Sequence, residues 1–251
     1  MATPEDKAIA LGHPSYVWRF GQEKRLSLIR RHTNLENRRI MDIGCGIGTY
    51  VRQFRRYSSD VYGIDVDFER VKEGGRSLPN LAAARGEDLP FKENTFDVIL
   101  LHEVLEHVQD DRKALQEACR VARQGGSIVI YAPNRFYPFE THGFYLGKRY
   151  FFHLLPLVNY LPDCLRRILV PHVRAYLAGD LRRLLQGLPL SLKVHSYVYP
   201  GFDNVAARNR FLAALLRRAL YFLENTPLRI FGLSHLMVVV KDGAFESAET
   251  A

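Results

Sequence analysis

Asp42-Ile43-Gly44-Cys45-Gly46-Ile47-Gly48 is the stretch on which the reading of this chain turns. Arg39-Ile40-Met41 precedes it and Tyr50-Val51-Arg52-Gln53-Phe54 follows, which predicts an apolar strand, a glycine turn and an amphipathic helix. Glycines at such a turn accept positive φ and let a ligand come close to the backbone. Working outward, Val61-Tyr62-Gly63-Ile64 reads as a second strand, closed by Asp65 and followed by Val66. A carboxylate at that strand tip can accept hydrogen bonds from the hydroxyls of a ribose. The two segments together predict a site for a nucleoside-containing cofactor.

A dinucleotide site asks for G-x-G-x-x-G. Here the spacing is G-x-G-x-G, with Asp42 two positions before the first glycine. Further on come Gly86-Glu87-Asp88-Leu89-Pro90-Phe91, then Asn94-Thr95-Phe96-Asp97-Val98-Ile99, then Arg123-Gln124-Gly125-Gly126. In this order and spacing the segments resemble the class I S-adenosylmethionine (SAM) methyltransferases, in particular the type 11 and ubiquinone-biosynthesis O-methyltransferases. Gln124 stands where that family usually has proline. The resemblance covers roughly residues 38–133 well, the final strand weakly and the segment between them hardly at all. It implies SAM as cofactor, held by Asp42, Gly44, Cys45, Gly46, Asp65, Val66, Glu87, Asp88 and His102. It also implies Arg25 at the methionine carboxylate, although Arg25 reads equally as a surface arginine on the first helix. Cys45 reads as a small packing residue, and Asp97 as a group that orients the fourth strand.

Gln22 to His32 reads as a helix with Leu26 and Ile29 near one face. Strand patterns fall at 39–43, 60–64, 81–84, 96–101, 127–132, 190–198 and 235–241. Helical patterns at 49–57, 67–76, 103–107 and 111–123 alternate with the first five. Such alternation gives right-handed crossovers and a parallel sheet covered on both faces. The fold class is therefore α/β, a Rossmann-like doubly wound, mostly parallel seven-stranded sheet. The resemblance adds an antiparallel last strand, Leu236 to Val240, and a helical, aromatic insertion after the fifth strand.

A single domain over 1–251 is expected, of which 1–37 is an N-terminal helical segment and 38–133 the SAM-binding core. Residues 134–178 form a lid-like insertion, 179–241 complete the sheet with an extra helix, and 242–251 are a disordered tail. The insertion is crowded with aromatics, among them Phe136, Tyr137, Phe139, Phe144, Tyr145 and Tyr150. A helix over 204–224 carries Phe211, Leu212, Leu215, Leu216 and Leu220 in a stripe flanked by Arg208, Arg210, Arg217 and Arg218. That stripe is expected to pack onto the sheet, and the 136–174 stretch to cover a substrate.

Charge is unevenly placed. The chain carries a net +8, and residues 112–235 hold 18 Lys/Arg against 6 Asp/Glu. A basic half points to an anionic partner, whether a membrane surface, nucleic acid or a phosphorylated substrate, or is simply a solvated face. Met1 to Asp6 is polar with no charged-then-apolar segment behind it, which predicts no secretory leader. No apolar run reaches the roughly 18 residues of a membrane span. Three scattered cysteines suit a reducing cytoplasm, with the inner face of the membrane as a peripheral location.

The fourth strand exits as Leu101-His102-Glu103-Val104-Leu105-Glu106-His107. Glu103, Glu106 and His107 at i, i+3 and i+4 share one face of a helical turn. They form a candidate divalent-cation site, with oxygens suiting Mg²⁺ and the imidazole suiting Zn²⁺ or Mn²⁺. E-x-x-E-H resembles a metal-holding segment of ubiquinone-type and small-RNA 2′-O-methyltransferases, and His142 is the candidate further ligand. The alternative for Glu106 and His107 is a structural role. His107 or His142 is the candidate general base. These features predict methyl transfer to an oxygen of a small lipophilic or aromatic acceptor. The alternatives are RNA 2′-O-methylation and a SAM-binding partner protein without turnover.

Overall fold

The computed structural model describes residues 18–243. Helix α1 (Phe20–His32) leads into β1 (Ile40–Ile43), α2 (Thr49–Phe54), β2 (Val61–Asp65), α3 (Phe68–Gly75), β3 (Leu81–Ala83), β4 (Phe96–His102), α4 (Asp111–Val121) and β5 (Ala122–Pro133). Beyond Pro133 lie four short strands: β6 (Phe139–Glu140), β7 (Phe144–Leu146), β8 (Arg149–Phe151) and β9 (Leu155–Pro156). The chain then forms α5 (Asp163–Leu169), α6 (Ala178–Leu185), β10 (Leu190–Val198), α7 (Asp203–Arg208), α8 (Arg210–Leu223) and β11 (Ser234–Lys241).

Seven strands make one sheet in the order β10-β11-β5-β4-β1-β2-β3. β1 pairs in parallel with β2 and β4, while β11 runs antiparallel between β5 and β10. This is the Rossmann-like sheet with an antiparallel last strand that the motifs predict. Successive strand residues point to opposite faces. Met41, Ile99, Leu101, Ile128 and Ile130 therefore meet Ala114, Leu115 and Leu181 of α4 and α6. Ile40, Val98, Leu100, Val129 and Tyr131 meet Leu26 and Ile29 of α1 and Val51 and Phe54 of α2. Burial on both faces explains why these strands read as continuous apolar runs. Each fully buried Ile or Leu contributes roughly 1.5–3 kcal/mol. Asp97 ties β1 to β4 by accepting from the Arg39 N–H at 2.8 Å, and it also pairs with Arg123. The sheet reverses its strand order beside β1, and ligands of such sheets bind there, outside the carboxyl ends of the strands.

Two elements depart from the sequence pattern. Residues 103–107 form a turn and no helix. The chain leaves β4 in a left-handed step at Glu103, with φ of 55°, and the Glu103 carboxylate is held by Arg25 and Ser234. The 204–224 stretch is two helices, because Asn209 is extended and caps α8 by accepting from the Leu212 N–H at 2.9 Å. Helix α8 buries only Ala213, so its apolar stripe does not pack onto the sheet.

The aromatic insertion folds as two antiparallel strand pairs, β6 with β9 and β7 with β8. It has a small core of its own, in which Val158, Val170 and Val173 pack with Phe144, Leu155, Leu161 and Leu169. Arg135 anchors it, donating to the carbonyls of Asn159 and Leu161 and pairing with Asp163. The predicted segment before Trp18 and the tail from residue 244 lie outside the described residues. Among those described, no helix is long and apolar enough to cross a membrane.

Candidate functional site

The glycine loop is the first wall of the site. Gly44, Gly46 and Gly48 have φ of 74°, 56° and 84°, values an L side chain rarely adopts. A Cβ on Gly44 would also stand 2.4 Å from Val104 Cγ2, so the turn is closed to any larger residue. The N–H groups of Gly44 and Cys45 both donate to the Ile64 carbonyl at 2.8 Å, which locks the loop against the tip of β2. Asp65 completes the link: one carboxylate oxygen accepts from Gly46 N–H at 2.7 Å, the other from Asp67 N–H at 2.9 Å. A carboxylate has about four lone-pair sites, so each oxygen keeps one for a ribose hydroxyl.

Asp42 is buried at the end of β1. Burial, and then the Asp65 charge, push its carboxyl well above the usual range and favour the protonated acid. The Cys45 thiol is pushed up by burial, then by Asp42 and Asp65, so it behaves as a packing group. Val66 is half exposed, and Phe68, at the start of α3, is 61% exposed. These two apolar side chains follow Asp65 closely in the chain and are open to solvent. Phe68 was not legible in sequence, where it is one more apolar residue of an amphipathic helix. Glu87 is buried and accepts from the Gln109 N–H at 2.8 Å, fastening its loop to the turn after β4, whereas Asp88 is exposed.

The second wall is the exit of β4. His102 lies between Tyr50 and Tyr131, with ring centroids 4.8 and 5.3 Å away. Burial, then the neighbouring Arg25, push its pKa down to about 3, so the ring is neutral. Its Nε2 and the Tyr50 hydroxyl are buried without a hydrogen-bond partner among the described residues. Such orphaned polar atoms beside a glycine loop fit a site whose remaining hydrogen bonds come from a ligand. Arg25 reaches this region from α1, donating to Ser234 Oγ at 2.9 Å and Glu103 Oε1 at 3.2 Å. Burial works to raise the Glu103 carboxyl, but Arg25, then His102, hold it at about 2.

The third wall joins that exit to the insertion. Glu106, His107 and His142 bring one ligand atom each within 4.8 Å of one another. Glu103, predicted in this group, is instead committed to Arg25 and Ser234. Both Glu106 oxygens and His107 Nδ1 are buried with no hydrogen-bond partner among the described residues. Burial, then Glu103, push Glu106 well above the carboxylate range, while burial, then His142, push His107 down to about 4.

His142 is held by a group the sequence did not single out. Glu140 Oε1 lies 2.9 Å from His142 Nδ1, and its other oxygen accepts from Arg166 at 2.7 Å. Arg166 is itself buried, donating also to Asn159 Oδ1 and the Val173 carbonyl. Burial opposes ionisation of Glu140, but the His142 hydrogen bond and then the Arg166 charge keep its carboxyl at about 2. An ionised carboxylate on Nδ1 fixes that nitrogen as the donor and leaves Nε2 with the free lone pair. The Glu140-Thr141-His142 spacing was the only sequence signal of this pair, whereas Arg166, 26 residues away from Glu140, left none.

Comparison with known proteins gives this geometry a family. Residues 41–130 match the family described as "Methyltransferase domain". The chain is 34% identical over 195 residues to a demethylmenaquinone methyltransferase of Beutenbergia cavernae, covering 75% of this chain and 76% of that protein. The chain belongs to the class I SAM-dependent methyltransferases. An uncharacterized protein of Methanocaldococcus jannaschii is 32% identical over 125 residues, 50% of this methyltransferase and 55% of that protein. A SAM-dependent methyltransferase structure from Mesorhizobium loti superposes with a TM-score of 0.60 at 17% identity, covering 85% of this chain and 96% of that one. At that identity the likeness concerns the fold alone. The chain spans between a third and three fifths of the length of several curated relatives it matches, 34–59%. Family membership implies SAM as the cofactor, and the glycine loop, Asp65 and the orphaned atoms beside them fit it.

Proposed function

We propose that this protein moves the methyl group of SAM to an oxygen of a small lipophilic or aromatic acceptor held beneath the 134–178 insertion. The observation that carries this reading is the Glu140–His142 pair, whose imidazole lies beside Glu106 and His107. Asp65 would take the ribose, Val66 and Phe68 the adenine, and Arg25 and His102 the methionine end. Bound there, SAM supplies a methyl group on an already activated sulfonium. The protein's part is then in-line positioning and removal of the acceptor proton. His142 Nε2 accepts that proton, and the Glu140 carboxylate stabilises the imidazolium that forms. The Beutenbergia relative's name gives demethylmenaquinone as its acceptor, which agrees with a lipophilic substrate under an aromatic cover.

A divalent cation at Glu106, His107 and His142 is a second reading, supported by the unpartnered Glu106 oxygens. A single carboxylate with two imidazoles suits Zn²⁺ or Mn²⁺ better than the Mg²⁺ favoured by a two-carboxylate set. Such an ion would lower the pKa of an acceptor hydroxyl. The Glu140 bond to His142 Nδ1 is the kind of outer partner that orients a ligating imidazole.

Methyl-labelled SAM incubated with the protein and a cell lysate, with and without EDTA, tests both readings. Label should partition into the organic phase, and label confined to the aqueous phase would overturn the lipophilic acceptor. Unchanged turnover in EDTA, with no Zn²⁺ or Mn²⁺ binding by calorimetry, would remove the cation. His142→Ala should abolish transfer and leave SAM affinity intact. Asp65→Ala should weaken SAM by about 10- to 100-fold, the worth of one or two charge-assisted hydrogen bonds. Equal SAM affinity in that variant would displace the ribose assignment.

A further inference from the structure

We propose that α8 and the 3-10 turn that follows it form a docking surface for an anionic lipid bilayer. The outer face of α8 reads Phe211, Leu215, Arg218 and Phe222, at i, i+4, i+7 and i+11 on one side of the helix. Phe211 is 81% and Phe222 69% exposed, far beyond what a core-facing stripe shows. The turn Pro227–Phe231 adds the exposed Leu228, Ile230 and Phe231. An exposed apolar tract of this kind marks a contact with something else.

Charge identifies the occupant. Among the described residues, Arg208, Arg210, Arg218 and Arg229 make no ion pair with any acid. The two acids of the region are both turned inward. Asp203 accepts from the Phe20 and Gly21 N–H groups and pairs with Arg217, and Glu224 pairs with Lys24 and accepts from Tyr199 N–H. What faces solvent is therefore a cationic helix with Phe and Leu between its arginines. Helices of that pattern lie in the headgroup layer, arginines on the phosphates and apolar side chains among the acyl chains.

Two other occupants fit less well. A symmetric dimer places one patch against its own copy, which would bring the arginines of both copies into one interface with no acid between. Nucleic acid would satisfy the arginines, but a phosphate backbone gives Phe211, Leu215 and Phe222 nothing to enter. The placement also suits a bilayer. Asn134 at the end of β5 holds the carbonyls of Ile230 and Gly232, while the next residue, Arg135, holds the insertion. The docking surface thus borders the cover of the acceptor site, though docking does not depend on what the acceptor is.

Sedimentation of the full chain with vesicles of phosphatidylcholine, with and without phosphatidylglycerol, tests the proposal. Binding should require phosphatidylglycerol and weaken as salt rises. At about fivefold per arginine near the surface, reversing Arg208, Arg210 and Arg218 to Glu should weaken it by about 100-fold or more. Phe211→Ser with Phe222→Ser should abolish the salt-resistant part. All of these side chains are exposed, so the unfolding midpoint should hold. As an independent readout, Phe222→Trp should shift its fluorescence to the blue with phosphatidylglycerol vesicles. Equal binding to both vesicle types, no blue shift, or binding that survives both sets of substitutions would overturn the proposal. Self-association abolished by the Phe variants, or RNA binding lost in the Arg variants with no vesicle binding, would overturn it in favour of a second copy or of RNA. Methyl transfer assayed in detergent reads the functional proposal separately.

Discussion

The half of the molecule before Pro133 and the half after it are built by different means. The first is backbone architecture: parallel strands, glycines at positive φ, and an Asp65 whose carboxylate braces the loop it serves. The second is side-chain chemistry laid over that frame, with a buried Glu140–Arg166 clamp on His142 and a helix that buries one residue. What binds a fixed cofactor can be written in the chain's geometry. What receives a particular acceptor must be written in particular side chains.

The largest test of that division is Arg166→Met, which leaves the ionised Glu140 buried without its cation. Breaking one side of a buried pair costs about 3–5 kcal/mol, and here the loss should fall on the insertion. Hydrogen exchange should show residues 136–174 opening more readily, and methyl transfer should be lost with the position of His142. SAM affinity, measured by calorimetry, should stay unchanged, because among the described residues the Arg166 guanidinium donates to Glu140, Asn159 and Val173 alone. A parallel fall in SAM affinity would mean that the two halves are one cooperative unit.

The same division explains what could be read from the sequence. The strands and the glycine loop follow from apolar runs and glycine spacing, which are local signals, whereas the antiparallel direction of β11 comes only from the family resemblance. Glu103 was misplaced because i, i+3, i+4 spacing presumes a helix. Its backbone turns left-handed, and its partners Arg25 and Ser234 lie 78 and 131 residues away, where no local pattern reaches. Arg166 was invisible for the same reason. The stripe of α8 was read correctly as amphipathic, but a stripe does not say whether a partner surface exists to bury it. The break at Asn209 did carry a signal, an Asn placed as an N-cap ahead of Phe211 and Leu212.

Acid should sharpen the contrast. In the fold His102 titrates at about 3 and His107 at about 4, both below the ordinary imidazole value near 6.5. Their neutral forms therefore belong to the folded state, and between pH 6.5 and about 4 the unfolded chain binds more protons. The contribution of each ring is complete above pH 6.5 and falls as pH drops through that window, by up to roughly 1.4 kcal/mol per pH unit, while Asp42 and Glu106, raised by burial, act in the opposite sense. Glu103 and Glu140, held at about 2, act in the same sense as the rings but lower: their contribution is present above the unfolded value near 4.5 and is lost toward pH 2. Urea unfolding across pH 7 to 4.5 reads the slope, and His107→Gln should lower it by one proton's worth. An unchanged slope would mean that His107 is not held neutral by the site.

The smallest effect belongs to the most peripheral element. Asn209→Ala removes the side-chain acceptor for the Leu212 N–H, which costs a helix about 1 kcal/mol. In a core helix that loss is spread over the whole fold. In α8, where Ala213 alone is buried, packing offers little to hold the first turn, so the loss should stay local. Amide exchange should quicken over Arg210–Leu223, with the global unfolding midpoint and SAM affinity unmoved. Vesicles containing phosphatidylglycerol should restore the protection, because a bilayer supplies the apolar surface that the protein does not. A global midpoint that falls by the full amount would instead place α8 in the core's cooperative unit.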